Sequence, residues 1–375
     1  MTDNPQNQNQ GAPANSPSVV ESINNFLLKL SRIPLKEKLF FVQHLGIMLK
    51  AGISLSIALK TLATQTKNKK FYNILNGIAA DVEKGMSFSD SLKKYSEIFG
   101  ELFVNMIEAG EISGKLEDVL SQLYLQLKKQ HELTSRIKGA LTYPVVVIGA
   151  MGGIGVFMMI FIVPKITKML TEFNAELPLP TKVLMAVSNA LVNHGLWVLA
   201  GVILFIIAMA KILKTPAGKF AFDSFILRAP VVSGIVKKIN LARFSRTVSS
   251  LLKTDIMIIK TFQITANVLS NFHYKNALNE MAEQIKKGGQ INEVVSNYPR
   301  LFPPVVTQMI MVGEQTGELD SILIELAEFY EDEVDQIMNN LPSIIEPLLI
   351  LLLGGGIGIM AVAIIMPMYS ITSAV

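Results

Sequence analysis

The chain of 375 residues contains no cysteine, which excludes disulfides, thiol catalysis and zinc held by thiolates. Histidine is nearly as scarce. Only His44, His131, His194 and His273 are present, and no two stand at metal-ligand spacing. His44 lies in an apolar helical pattern and reads as a satisfied core residue. Charge is also thin: 17% of residues are charged and 50% are hydrophobic, with a mean hydropathy of +0.41. That balance is too apolar for an ordinary soluble protein of this length and points to a membrane. A further absence is a basic start with an apolar core at the N-terminus. The first eighteen residues are rich in Asn, Gln, Pro and Ser, so they read as a disordered tail and not as a cleaved signal, leaving the first transmembrane helix to direct insertion.

What is present begins with uncharged runs. Residues 145–163 and 348–366 carry no charge and approach the roughly 20 residues that cross a hydrocarbon core. A third run, 195–210, is shorter, with Trp197 near one end and Lys211 closing the other. Snorkelling by that lysine and help from 190–193 supply the missing length.

An offset of 203 residues superimposes the second half of the chain on the first without a gap, from Phe41/Phe244 to Pro164/Pro367. The pairs include Gly85/Gly288, Phe99/Phe302, Gly110/Gly313, Glu111/Glu314, Gly114/Gly317, Pro144/Pro347 and Gly152/Gly355. So long a period fits a duplicated domain and not a solenoid. Two like domains, each followed by a crossing in the same sense, lie on one side of the membrane only if an extra span separates them, and 195–210 is that span.

Within copy one the apolar spacing predicts helices near 36–50, 54–66, 69–84, 89–95, 99–109 and 114–140, with no strand alternation. The expected fold is therefore an all-α membrane protein: two repeated cytoplasmic helical-bundle domains of about six helices each, plus three transmembrane helices. The expected boundaries are a tail and short lead-in helix over 1–33, domain one over 34–142, the first span over 143–164, and an external segment over 165–194. The second span follows over 195–213, domain two over 214–345, the third span over 346–367, and an external tail over 368–375. Lys211, Lys214, Lys219, Arg228, Lys237, Lys238, Arg243, Arg246, Lys253 and Lys260 stand against only Asp223 and Asp255 in 211–260, which places both domains in the cytoplasm by the positive-inside rule. The net charge of +4 thus reflects orientation and attraction to anionic lipid. No nucleic acid is expected, because basic and aromatic residues do not interleave as a base-stacking surface requires.

The sharpest motif is Gly-Glu-x-(Ser/Thr)-Gly-x-Leu, at Gly110 to Leu116 and again at Gly313 to Leu319. Gly114 and Gly317 suit the left-handed end of a helix, and Ser113 or Thr316 could cap the next one. Two readings of Glu111 and Glu314 stand together: part of a tight corner, or a charge presented to a partner. Lys115 after Gly114 does not make a phosphate loop, because the spacing is one short, Leu116 replaces the magnesium-binding hydroxyl, and copy two has Glu318 in its place. The glycines Gly149, Gly152, Gly153 and Gly155, and Gly354, Gly355, Gly356 and Gly358, lie inside the spans with no strand before them. They predict close helix packing against this chain, a second protomer or a small client, and not a dinucleotide site. No ionisable residue lies mid-span, so a proton or ion pathway lacks its usual residues. Asp255 stands where copy one has Gly52, and aspartate tolerates the left-handed turn that a glycine would make there.

These corners, with Leu141-Thr142-Tyr143-Pro144, Phe173-Asn174-Ala175-Glu176-Leu177-Pro178, Thr215-Pro216-Ala217-Gly218 and Leu241-Ala242-Arg243-Phe244-Ser245-Arg246-Thr247, resemble the type II secretion system F family, from about residue 34 to the C-terminus. That family includes the inner-membrane platform proteins of type IV pili. The resemblance implies a multi-pass protein of the bacterial cytoplasmic membrane that lets a hexameric cytoplasmic assembly ATPase drive pilins or pseudopilins into a filament. It implies other inner-membrane assembly proteins as neighbours, a homo-oligomer, no cofactor and no covalent chemistry. Where the family usually has glycine at both turns, the second copy departs at Asp255. A passive scaffold is the reading that the residues leave beside it, with a small transporter or membrane enzyme behind both.

Overall fold

The computed structural model describes residues 33–172 and 178–372, every regular element of which is helical. The expected tail and lead-in helix over 1–33 lie outside them except for residue 33, as do the Phe173 to Pro178 motif except for Pro178 and the last three residues. By internal contacts the chain divides into two compact units, 1–124 and 125–375.

The first unit carries α1 (Leu35–Lys50), α2 (Leu55–Gln65), α3 (Lys69–Glu83), α4 (Phe88–Lys93), α5 (Ser96–Phe99), α6 (Glu101–Ser113) and the start of α7 (Leu116–Phe157). Its core gathers the apolar faces that helical spacing predicts. Phe41, Phe71 and Phe103 are buried, and the Phe41 and Phe71 rings meet edge to face at 5.7 Å. Asn68 caps α3, its side chain accepting from the amides of Lys70 and Phe71 at 3.0 and 3.1 Å. The expected helix 89–95 is shorter and is followed by the separate turn α5, while α6 runs past Gly110 to Ser113 instead of ending before it. The continuation follows from packing. A glycine inside the helix lets α7 approach.

The second unit repeats the plan with α11 (Val232–Leu252), α12 (Ile258–Val268), α13 (Phe272–Lys286), α14 (Ile291–Ser296), α15 (Pro304–Thr316) and the start of α16 (Leu319–Thr372). Phe244, Tyr274 and Phe302 occupy the positions of Phe41, Phe71 and Phe99, with Phe302 edge-on to both others at 5.4 and 5.5 Å. The Tyr274 hydroxyl donates to the Leu301 carbonyl at 2.7 Å, which satisfies the one polar atom this ring brings into the core. Burial pushes its phenol far above the ordinary range.

The turn at Asp255 survives the change from glycine. Asp255 has φ of 57° where Gly52 has 80°. In each copy the same two bonds close the helix: Gly52 to Leu49 and Ile53 to Met48, then Asp255 to Leu252 and Ile256 to Leu251.

The long helices supply the membrane element. Three helical stretches are long and apolar enough to cross a membrane: Leu116–Met169, Leu179–Lys214 and Leu319–Ala363. α7 does not break at Pro144, so the expected boundary at 142/143 falls inside one helix that runs for about 63 Å. A proline removes one backbone bond, and the flanking turns hold the helix through it. A π-helical turn (Met158–Ile162) follows before α8 (Val163–Glu172). α9 (Leu179–Lys214) bends at His194, whose φ of −128° is outside the helical range, and α10 (Pro216–Ile226) begins directly after it, with Thr215 capping the amide of Gly218 at 3.1 Å.

The part of α9 before the bend, expected to belong to an external segment, packs on the ends of the other two spans. Leu184 joins Val163 and Ala363 in a buried cluster. The Thr181 hydroxyl donates to the Ala363 carbonyl and the Ser188 hydroxyl to the Met159 carbonyl, each at 2.6 Å. Met159 lies in the π-helical turn, where the regular bond pattern is interrupted.

Candidate functional site

The two Gly-Glu corners are built alike. α6 ends at Gly114, whose φ of 68° is left-handed, and Lys115 and Gly114 return their amides to the carbonyls of Gly110 and Glu111 at 2.9 and 3.3 Å. Gly317 closes α15 with φ of 76°. Gly110 and Gly313 have a different task inside their helices. A Cβ on Gly110 would stand 3.0 Å from Val119 and 3.2 Å from the Leu116 backbone, and one on Gly313 would stand 3.0 Å from the Leu319 backbone. The first glycine of each motif therefore permits close crossing of the next helix, and the second permits the turn.

The carboxylates turn inward. Glu111 Oε1 and Oε2 accept from the amides of Phe88 and Ser89 at 2.6 and 2.7 Å, the first turn of α4. Glu314 does the same for Ile291 and Asn292 at 2.7 and 3.1 Å, the first turn of α14. Free amides at a helix start carry partial positive charge, so a carboxylate is a strong partner there. Both oxygens of both glutamates are thus engaged within their own domains. The capping expected of Ser113 is not found. Its hydroxyl donates to the Ala109 carbonyl at 2.8 Å, and Thr316 donates to Val312 at 2.9 Å, because a hydroxyl on the last helical turn reaches the carbonyl four residues back. Thr316 Oγ1 also lies 3.4 Å from the Glu318 amide.

The span glycines behave in the opposite way. Among the described residues, Gly152, Gly153 and Gly155 on α7, and Gly355, Gly356 and Gly358 on α16, have no atom within 4 Å of where a Cβ would stand, apart from their own helix turns and chain neighbours. Among the described residues their surfaces are open. Gly149 and Gly354 are open as well.

A polar cluster that sequence spacing did not single out lies in the second unit. Arg246 on α11 makes two parallel bonds of 2.8 Å to Glu331 on α16, and Lys129 on α7 approaches the same carboxylate at 3.3 Å. Gln126, also on α7 and buried, donates to Thr247 at 3.1 Å and accepts from Ser250 at 2.9 Å. Lysine 238 pairs with Glu333, and Arg136 with Asp335. Leu133, Val334 and Met338 form the apolar seam between these helices. Arg243 lines the adjoining cleft with its Nε unpaired, and burial lowers its guanidinium from the ordinary range. The motif Leu241 to Thr247 was visible in the sequence, but its partners on α7 and α16, some 85 to 120 residues away, were not.

Among the described residues no group of three or more His, Cys, Asp or Glu side chains could hold a metal ion. His44 stacks on Phe40 at 3.9 Å, and its Nδ1 lies 2.9 Å from the Phe40 carbonyl.

Comparison with known proteins matches the family description "Type II secretion system (T2SS), protein F" twice, at residues 41–164 and 244–367, the same bounds as the internal repeat. The chain is 38% identical over 337 residues to the type IV pilus assembly protein PilC of Thermus thermophilus, covering 90% of this chain and 83% of that one. It is 32% identical to the type IV pilus assembly protein PilC of Myxococcus xanthus, covering 91% and 81%. It is 30% identical to the type II secretion system protein F of Vibrio cholerae, covering 87% and 80%.

Proposed function

Because the chain belongs to the type II secretion system protein F family, we propose that it is an inner-membrane platform that couples a cytoplasmic assembly ATPase to the insertion of pilin or pseudopilin subunits into a filament. The protein performs no covalent chemistry in this reading. Its two repeated domains, 34–142 and 214–345, face the cytoplasm and offer the surface on which a hexameric motor acts. The spans form the base, other inner-membrane assembly proteins and further copies of the chain surround it, and the filament subunit leaves the bilayer beside it.

The observation that carries the reading is the open glycine surface on two spans of a family member. α7 and α16 each carry a run of glycines that the described residues leave uncovered. Glycine surfaces let a second helix approach closely, and lipid gains nothing from them. A single apolar helix of a pilin is an occupant of the right length and chemistry.

The test replaces Gly152 or Gly355 with leucine in the native host and measures filament output together with the amount of the protein in the membrane. We expect normal protein levels and loss of filaments. Unchanged filament assembly in both variants would remove the glycine surfaces from the mechanism. Purification of the tagged chain in mild detergent should recover an assembly ATPase and pilin-like subunits. Filament output that does not depend on the ATPase would favour a passive scaffold.

A further inference from the structure

We propose that the second repeat carries a phosphate-binding cleft at the membrane surface, and that its occupant is the headgroup of an anionic phospholipid. The cleft is about 350 Å³ in volume and is lined by Arg228, Lys237, Arg300, His273, Ser224 and Tyr298, among others. Three cations therefore converge on one hollow. Among the described residues no carboxylate pairs with Arg228, Lys237 or Arg300. The acids closest in the hydrogen-bond pattern are engaged elsewhere: Asp223 accepts from the Phe272 amide at 2.7 Å, and Glu280 accepts from the Tyr298 hydroxyl. His273 Nε2 and the Ser224 hydroxyl lie 2.8 Å apart and supply neutral hydrogen-bonding groups on the wall. Guanidinium groups and a lysine that lack carboxylate partners make a site for a phosphate ester, which takes several donors at once.

Position in the chain selects the membrane as its source. α10 starts at Pro216, two residues beyond the last residue of the span α9, and Ser224 stands nine residues past its cap Thr215, within about 14 Å of it along a helix. The same stretch leaves large apolar side chains uncovered. Phe225 is 70% exposed and Val231 is 69% exposed. Apolar and basic groups side by side next to a span fit the layer between hydrocarbon and water. The chain then reverses sharply. Val231 has φ of 67° and the Val232 amide donates to the Pro230 carbonyl at 2.8 Å, a strained three-residue turn that a β-branched residue rarely makes. The reversal sets Arg228 and Lys237 on the wall of one cleft.

The repeat supplies an internal control. At the offset of 203 residues, Glu97 stands where copy two has Arg300. The Arg300 charge is thus a property of the second copy and not of the shared fold, and Arg228 and Lys237 precede the repeated region.

The experiment uses the full chain in detergent and native mass spectrometry, with dioctanoyl phosphatidylglycerol, dioctanoyl phosphatidylcholine and glycerol 3-phosphate as separate probes. The wild-type chain is expected to retain phosphatidylglycerol in preference to phosphatidylcholine. At about fivefold per surface cation, the Arg228→Gln, Lys237→Gln, Arg300→Gln variant should lower that affinity roughly 100-fold. Arg300→Glu, which installs the copy-one residue on an exposed position, should lower it without touching the core. Removal of Lys286 and Lys287, which do not line the cleft, should leave it unchanged. Phosphatidylglycerol retention by the triple variant within twofold of wild type would overturn the proposal. Binding of glycerol 3-phosphate with no preference between the two lipids would overturn the assignment of a lipid source.

Discussion

Single residues set the corners on which each repeat is built. Glu111 and Glu314 spend both carboxylate oxygens on the first turns of α4 and α14. Bonds to a charged acceptor are worth about 2 kcal/mol when a half-buried amide would otherwise stand alone. Glu314→Ala is therefore expected to open α14 locally, with the amides of Ile291 and Asn292 exchanging with solvent faster while the core amides of α13 keep their protection. Glu314→Gln retains one acceptor oxygen and should fall between the two. Unchanged exchange at both amides in the alanine variant would contradict the assigned bonds. The glycine of this motif that must take a positive φ was legible, because that need follows from local backbone sterics. The destination of the carboxylate was not, since nothing in a seven-residue motif names amides 22 or 23 residues upstream.

At the scale of elements, the informative unit is the three-helix arrangement of α7, α11 and α16. Glu331 and Arg246 are nearly buried and doubly bonded, with Lys129 as a further partner. Removing one member of such a pair leaves the other's charge without compensation, at about 3 kcal/mol. Glu331→Gln should accordingly lower the thermal midpoint of the detergent-solubilised chain by several degrees. The double variant Arg246→Met, Glu331→Leu should recover most of that loss, because apolar groups of similar volume need no partner. A double variant as unstable as the single one would assign the cost to lost packing instead. Helical periodicity predicted the start of α7 over 114–140 and its repeat at the start of α16, and the observed helix bounds differ where tertiary contacts override local signals. α6 passes through Gly110, α7 passes through Pro144, and the region before the His194 bend folds back onto the other spans.

At the scale of the molecule, the chain is an all-α membrane protein of the type II secretion system F family, with three helices able to cross the bilayer. The proposed orientation rests on the basic surplus after α9. Reporter fusions at residues 120 and 290 should report the cytoplasm, and a fusion within 173–177 should report the opposite side. The same side for all three would exclude the three-span arrangement. Composition, uncharged runs and the exact-offset repeat determined the membrane class, the duplication and the helical content by themselves. Transfer free energy and helical periodicity are sums over neighbouring residues, so a linear reading captures them. Only the tertiary structure decided that residues beyond Tyr124 on α7 pack with α11 and α16, that the described residues leave the span glycines uncovered, and that Arg228, Lys237 and Arg300 line one cleft. Those outcomes depend on which distant surfaces meet, and the free energy of a meeting belongs to the pair of surfaces and not to either segment alone.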